Sequence, residues 1–254
     1  MCLIALAWQA HPDYPLLVAA NRDEFYARPA SPARFWEDAP GVLAGRDLKE
    51  GGTWLGLTRQ GRFAALTNVR EPGTPAGRLS RGLLVADFLK GQDRPLDYLG
   101  FIAAQGHDFS GFNLLVGDRE QLAFYSNRNG APVLLQPGIH GLSNATLDTP
   151  WPKVRKLRAG FTAALEGGPG PEQLLNLLYD DAPAEDAELP DTGVGPIMEK
   201  LLSSCFIRSP MYGTRASTAV LVGQQRAQFI EQSFTHEGHS ERAAFSFALE
   251  GARP

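Results

Sequence analysis

Two runs near the start of the chain, CLIALAW at 2–8 and LLVAA at 16–20, are apolar without a break. A strand with one wet face alternates apolar and polar residues; a strand covered on both faces does not. The stretch between them holds QAHPD, which reads as a turn. The two runs therefore predict a hairpin in the middle of a layered structure, with something packed above it and something below.

The remaining patterns supply those layers. TWLGLTRQGRFAALTNV (53–69) reads as a hairpin turning at Gln60-Gly61, and FNLLVGD with QLAFYSN as another around 118–120. RASTAVLVG and AQFIEQSF form a late hairpin, and RAAFSFAL is a last strand. Helices are expected over 78–90, 96–105, 151–167 and 170–180, with a short one near 197–206. Proline at 150 and 152 suits the first turn of the third. Strands at both ends with helices between them imply α+β architecture: two antiparallel sheets covered by helices. No composition shift marks a linker, so residues 1–254 are expected to form one domain.

Charge and cysteine content narrow the function. Net charge is −4 and no basic block stands out, which argues against nucleic acid as a partner. No apolar run reaches the length of a transmembrane segment, and no basic stretch precedes the apolar start, so no secretory signal is read. Two cysteines in 254 residues suit a reducing, cytoplasmic setting rather than a disulfide framework. The five histidines show no metal spacing beyond HEGH at 236–239, and no metal site is expected.

The chemistry concentrates at the start. Cys2 follows the initiator methionine, and methionine is usually trimmed before so small a side chain. Trimming would place an amine and a thiol on one residue, where the amine can act as base for its own side chain. The alternative is a small core residue in a first strand. The second run breaks into Asn21-Arg22-Asp23-Glu24. With the turn centred near Pro12, Cys2 lies opposite residues 21–24. Asn21 and Asp23 then share one face and Arg22 and Glu24 the other. A carboxylate there would hold the amine; the alternative is a polar strand end entering solvent. Asn68 and Asn144 each end an expected strand. They suit either amide donors to a developing oxyanion or turn formation.

MCLIAL with NRDEFYARP, GGTWLGLTRQGRFAALTN and GLSNATLDTPWPKV together resemble the NRDE family, also called the transport and Golgi organisation protein two family. The resemblance implies a four-layer αββα sandwich of the N-terminal nucleophile hydrolase type, akin to choloylglycine hydrolases and penicillin V acylases. It implies catalytic roles for Cys2, Asp23, Asn68 and Asn144. It further implies an amidohydrolase or acyl transferase acting on an amphipathic small molecule. The other function it carries is non-catalytic binding and trafficking of haem or acyl-CoA and other lipids; no cofactor is required, and haem enters only as a ligand. The acylases carry an arginine three residues before the aspartate, where this chain has Ala20. Their late arginine is matched by Arg215. Asn21, Arg22, Arg70 and Arg215 are the expected substrate-binding residues, with the arginines pairing an anionic end. Trp8, Phe25, Tyr26, Phe35, Trp36 and Trp54 read first as core and second as the wall of an apolar acyl pocket.

Overall fold

The computed structural model describes residues 2–251. In chain order the first strands are β1 (Cys2–Trp8), β2 (Leu16–Phe25), β3 (Ala30–Phe35), β4 (Val42–Asp47), β5 (Leu55–Thr58) and β6 (Phe63–Asn68). Helices α1 (Arg81–Lys90) and α2 (Pro95–Gln105) follow, then β7 (Phe112–Gly117), β8 (Leu122–Ser126), β9 (Asn129–Leu134) and β10 (Gly138–Leu142). Helices α3 (Pro152–Glu166), α4 (Pro171–Asn176) and α5 (Pro196–Leu201) lead to β11 (Tyr212–Val222), β12 (Arg226–Thr235) and β13 (Gly238–Ala248).

Six strands form one antiparallel sheet in the order β10-β1-β2-β11-β12-β13, and seven form another in sequence order from β3 to β9. Three apolar cores separate the layers. Ile4, Leu6 and Trp8 of β1 meet Leu57, Phe63 and Leu115 between the sheets. Leu3, Ala5 and Ala7 of the same strand meet Val154, Leu157 and Phe161 of α3. On the far side α1 and α2 bring Leu84, Val85, Phe88 and Leu99 against Ala64, Leu66 and Leu114. Burying one such Leu or Phe stabilises the fold by about 1.5–3 kcal/mol. The chain is thus the four-layer αββα sandwich expected, and β1 lacks alternation because each of its faces serves a different core.

Four strands lacked a legible pattern. Pro32 in β3 and Pro132 in β9 obscure two of them, and both lie at edges of the seven-stranded sheet, where a missing donor is tolerated. Strand β10 is short, contains two glycines, and closes the edge beside β1. Strand β4, VLAGRD, passes from three apolar residues straight into glycine and two charges, so its apolar part does not stand out without the partners that bury it. Among the described residues no helix is long and apolar enough to cross a membrane.

Candidate functional site

Strand β1 runs antiparallel to β2 with Cys2 opposite Arg22 and Leu3 opposite Asn21. Cross-strand partners share a face. The Cys2 and Arg22 side chains therefore point between the sheets, and Asn21 and Asp23 point toward the helical layer. The α-nitrogen of Cys2 leaves the strand on the side where β2 runs on to Asp23. On the other flank β11 pairs with β2 in register from Val222 to Ala216, then slips by one so that Thr214 meets Asp23. Arg215 is the surplus residue of that bulge. The slip brings the Thr214 hydroxyl onto Asp23 Oδ1 at 2.8 Å.

A cavity of about 760 Å³ opens at this end of the sandwich, and Cys2 and Asn68 both line it. Asn68 ends β6, and its backbone carbonyl accepts 2.8 Å from Asn144 Nδ2. Asn144 accepts in turn from Ser143, whose hydroxyl also donates to the Cys2 carbonyl at 3.0 Å. This chain of bonds ties the end of β6 to the start of β1. Arg22 reaches Glu24 only at 4.0 Å. Arg81 opens α1, donates to the Gly111 carbonyl at 2.9 Å, and would have its charge favoured against burial first of all by a thiolate at Cys2. The GGTW motif explains how Arg81 and Trp54 reach the wall. A Cβ on Gly52 would stand 2.3 Å from the Gly82 carbonyl carbon, so only glycine lets that loop cross the start of α1.

Burial pushes the Cys2 thiol upward, with Asp23 adding to the rise and Arg22 opposing it. The thiol is therefore protonated at neutral pH and needs a base to become a nucleophile. Burial likewise raises Asp23, with Lys153 first among the groups pulling it back. Tyr212 donates to the Asp23 backbone carbonyl at 3.1 Å.

Several expected residues lie elsewhere. Asn21 is fully buried and off the cavity wall. Its Nδ2 donates at 2.9 Å to the carbonyls of Leu178 and Cys205, and its Oδ1 accepts from Ser217 at 2.6 Å. It fastens the helical layer to the sheet instead of meeting a ligand. Arg70 is also off the wall: it forms a buried ion pair with Glu199 and lies over Trp151. Asn144 does not line the cavity either; its amide braces Asn68. Arg215 is on the wall, yet its guanidinium donates to the carbonyls of Phe25, Tyr26, Arg28 and Phe234. Of the early aromatics only Trp54 lines the cavity. Trp8 and Trp36 are core residues, and Phe35 packs on Phe245 and Phe247. The wall is polar, carrying Arg22, Arg28, Arg78, Arg81, Glu24 and Glu231. The trimming of Met1 concerns a residue outside those described.

Sequence reasoning missed Arg81, Glu231 and Lys153. Arg81 was legible only as one residue inside the helix expected over 78–90, and the lysine as one basic residue among several in WPKVRKLR.

A sequence model of the family described as Transport and Golgi organisation 2 matches residues 1–236. The Transport and Golgi organization protein 2 homolog of Bos taurus is 41% identical over 261 residues, 92% of this chain and 93% of the relative. That of Homo sapiens is 37% identical over 276 residues, 98% and 100% of the two chains. The Drosophila melanogaster protein is 29% identical over 264 residues, 92% and 93% of the two. Among solved structures, the mutant C2A conjugated bile acid hydrolase from Clostridium perfringens matches 99% of this chain and 95% of its own, with a TM-score of 0.54 at 8% identity. That likeness is one of fold, and it is the N-terminal nucleophile hydrolase fold.

Proposed function

The chain belongs to the Transport and Golgi organisation 2 family, and on that premise we propose that it is a cysteine amidohydrolase or acyl transferase with Cys2 as nucleophile. The observation that carries this reading is the shared cavity: the Cys2 thiol and Asn68 line one space of about 760 Å³, a size suited to a small-molecule ligand. Once Met1 is removed, the α-amine of Cys2 takes the proton of its own thiol. The thiolate forms a bond to the acyl carbon, and the carbonyl electrons move onto oxygen. The Asn68 amide donates to that oxyanion; losing one such donor typically costs about 2.7–4 kcal/mol of transition-state stabilisation. Collapse breaks the bond to the leaving amine, which takes the proton from the α-ammonium. Water, or a second acceptor, then gives its proton to the α-amine and attacks the thioester carbon; the carbon–sulfur bond breaks, the acyl product leaves, and the thiolate regains that proton.

The lining of the wall supports one substrate class. Arg22 and Arg81 face the space beside the thiol, so the substrate carries a carboxylate or similar anion close to the scissile bond. Trp54, Leu66, Leu79 and Phe234 leave a smaller apolar surface for the rest of an amphipathic molecule. The test is to incubate the mature chain with amides and thioesters of anionic acyl compounds and search by intact mass for an adduct on Cys2. An acyl-enzyme that is absent from Cys2→Ala supports the reading. The family's other reading, a non-catalytic carrier of haem or acyl-CoA, is favoured by the same arginines, which suit a bound anion. It prevails if wild type and Cys2→Ala bind such ligands equally and no substrate turns over.

A further inference from the structure

Lys153 stands at the second position of α3, directly after Pro152. Two physical effects oppose a cation there. The first turn of a helix carries the positive end of its dipole, and the residue is only 2% exposed. Its Nζ has no hydrogen-bond partner among the described residues. A methionine would fill similar space without either penalty.

The balancing force is electrostatic, and the surroundings identify it. Asp23 points from β2 toward the helical layer in which Lys153 is buried, and the charged and titratable groups that act most strongly on Lys153 are Asp23, Arg70 from the segment after β6, Cys205 from the segment after α5, and Cys2 from β1. Asp23 is the one carboxylate among them, and it is itself buried. Burial lowers Lys153 to about 8, with Asp23 the foremost opposing influence. Lys153 does not line the cavity that holds Cys2.

We propose that Lys153 is a positioning residue for the Cys2 site: its ammonium is the buried counter-charge of Asp23, so the Cys2 α-amine can stand beside that carboxylate uncharged and take the thiol proton. This rests on the reading of Cys2 as an N-terminal nucleophile. A buried carboxylate alone beside the amine would keep a proton on it, and an ammonium cannot accept another. A second cation shares the field of the carboxylate and makes the amine less basic. The same charge favours the thiolate once it forms.

The experiment uses the full chain, with its N-terminus first verified as Cys2 by intact mass. Alkylation of Cys2 by iodoacetamide is resolved from that of Cys205 by peptide mass across about pH 5.5–9.5. Lys153→Met keeps volume and removes charge; Lys153→Arg keeps charge; Lys153→Gln stands in for the methionine variant should that one fail to fold. The uncharged variant is expected to shift the rise in rate upward by about one pH unit, making labelling about tenfold slower at pH 7 while recovering at high pH. Lys153→Arg should restore the wild-type profile. A folded, uncharged variant with an unchanged profile overturns the proposal and leaves Lys153 a packing residue. Resistance of wild-type Cys2 to alkylation at every pH overturns the nucleophile reading itself, and is distinguishable because it appears without any substitution.

Discussion

The two faces of the strand end Asn21-Arg22-Asp23-Glu24 differ in what their polar groups are doing. On the helical side, Asn21 makes three hydrogen bonds to three separate segments, and Asp23 accepts from Thr214. On the cavity side, Arg22 touches Glu24 only at 4.0 Å and otherwise faces the open space beside Cys2. One face is an anchorage and the other lines a cavity, although they alternate along four consecutive residues. A run of polar residues in sequence is therefore not one functional unit. The period-two geometry of the strand divides it.

Substitutions can break that division, and the largest effect is expected at Cys2, the proposed nucleophile. Cys2→Ser should reduce turnover by about two orders of magnitude or more, since the weaker nucleophile retains the same base. Its urea midpoint should stay within error, because the volume barely changes. The anchorage side should behave in the opposite way. Asn21→Ala strands two carbonyls and a hydroxyl in the interior and should lower stability by about 3–5 kcal/mol in urea titrations. A stability unaffected by that change would remove the distinction between the faces. Glu199→Gln, which leaves Arg70 buried without its counter-ion, should destabilise by about 3 kcal/mol while Cys2 labelling remains as in wild type. Arg22→Ala should alter stability by less than about 1 kcal/mol. It should weaken anionic ligands about tenfold or more, read as a rise in KM or Kd.

The smallest effect lies off both faces. His140 Nδ1 stands 2.9 Å from Asp148 Oδ2, and that bond raises the imidazole above its ordinary value. A group raised on folding contributes stability that is complete below its unfolded pKa, about 6.5. The contribution fades as pH climbs through the higher folded value. The urea midpoint should therefore decline gently above about pH 6.5, and His140→Gln should flatten that decline.

How far the sequence revealed this arrangement depended on whether the signal was local. The central hairpin was legible because two covered faces leave an unbroken apolar run. The register of Cys2 against residues 21–24 followed from the turn, and the structure sets it at Arg22. Helix α3 was legible from proline and periodicity, but not the fate of its lysine, because burial of Lys153 depends on segments far away in the chain. Arg70, two residues after Asn68, was expected to pair the anionic end of a substrate. Its partner Glu199 is 129 positions further on, and no local pattern announces such a pairing. The aromatics misled for a related reason. They are close in sequence, yet strand alternation and the β3–β4 turn distribute them among two cores, the surface and the cavity.

The bulge at Arg215 gives β11 two phases. Above it the odd-numbered residues Ser217, Ala219 and Leu221 face the helical layer; below it the even-numbered Thr214 does so, against Asp23. Deleting Arg215 would remove the bulge and take its guanidinium off the cavity wall, while Thr214, then next to Ala216, would keep its place opposite Asp23 on the helical side and the apolar half of the strand would stay undisturbed. The bulge thus adds one cationic side chain to the cavity wall without changing which residues of β11 face the helical core, so the charge of the wall can be altered at this position without repacking that core.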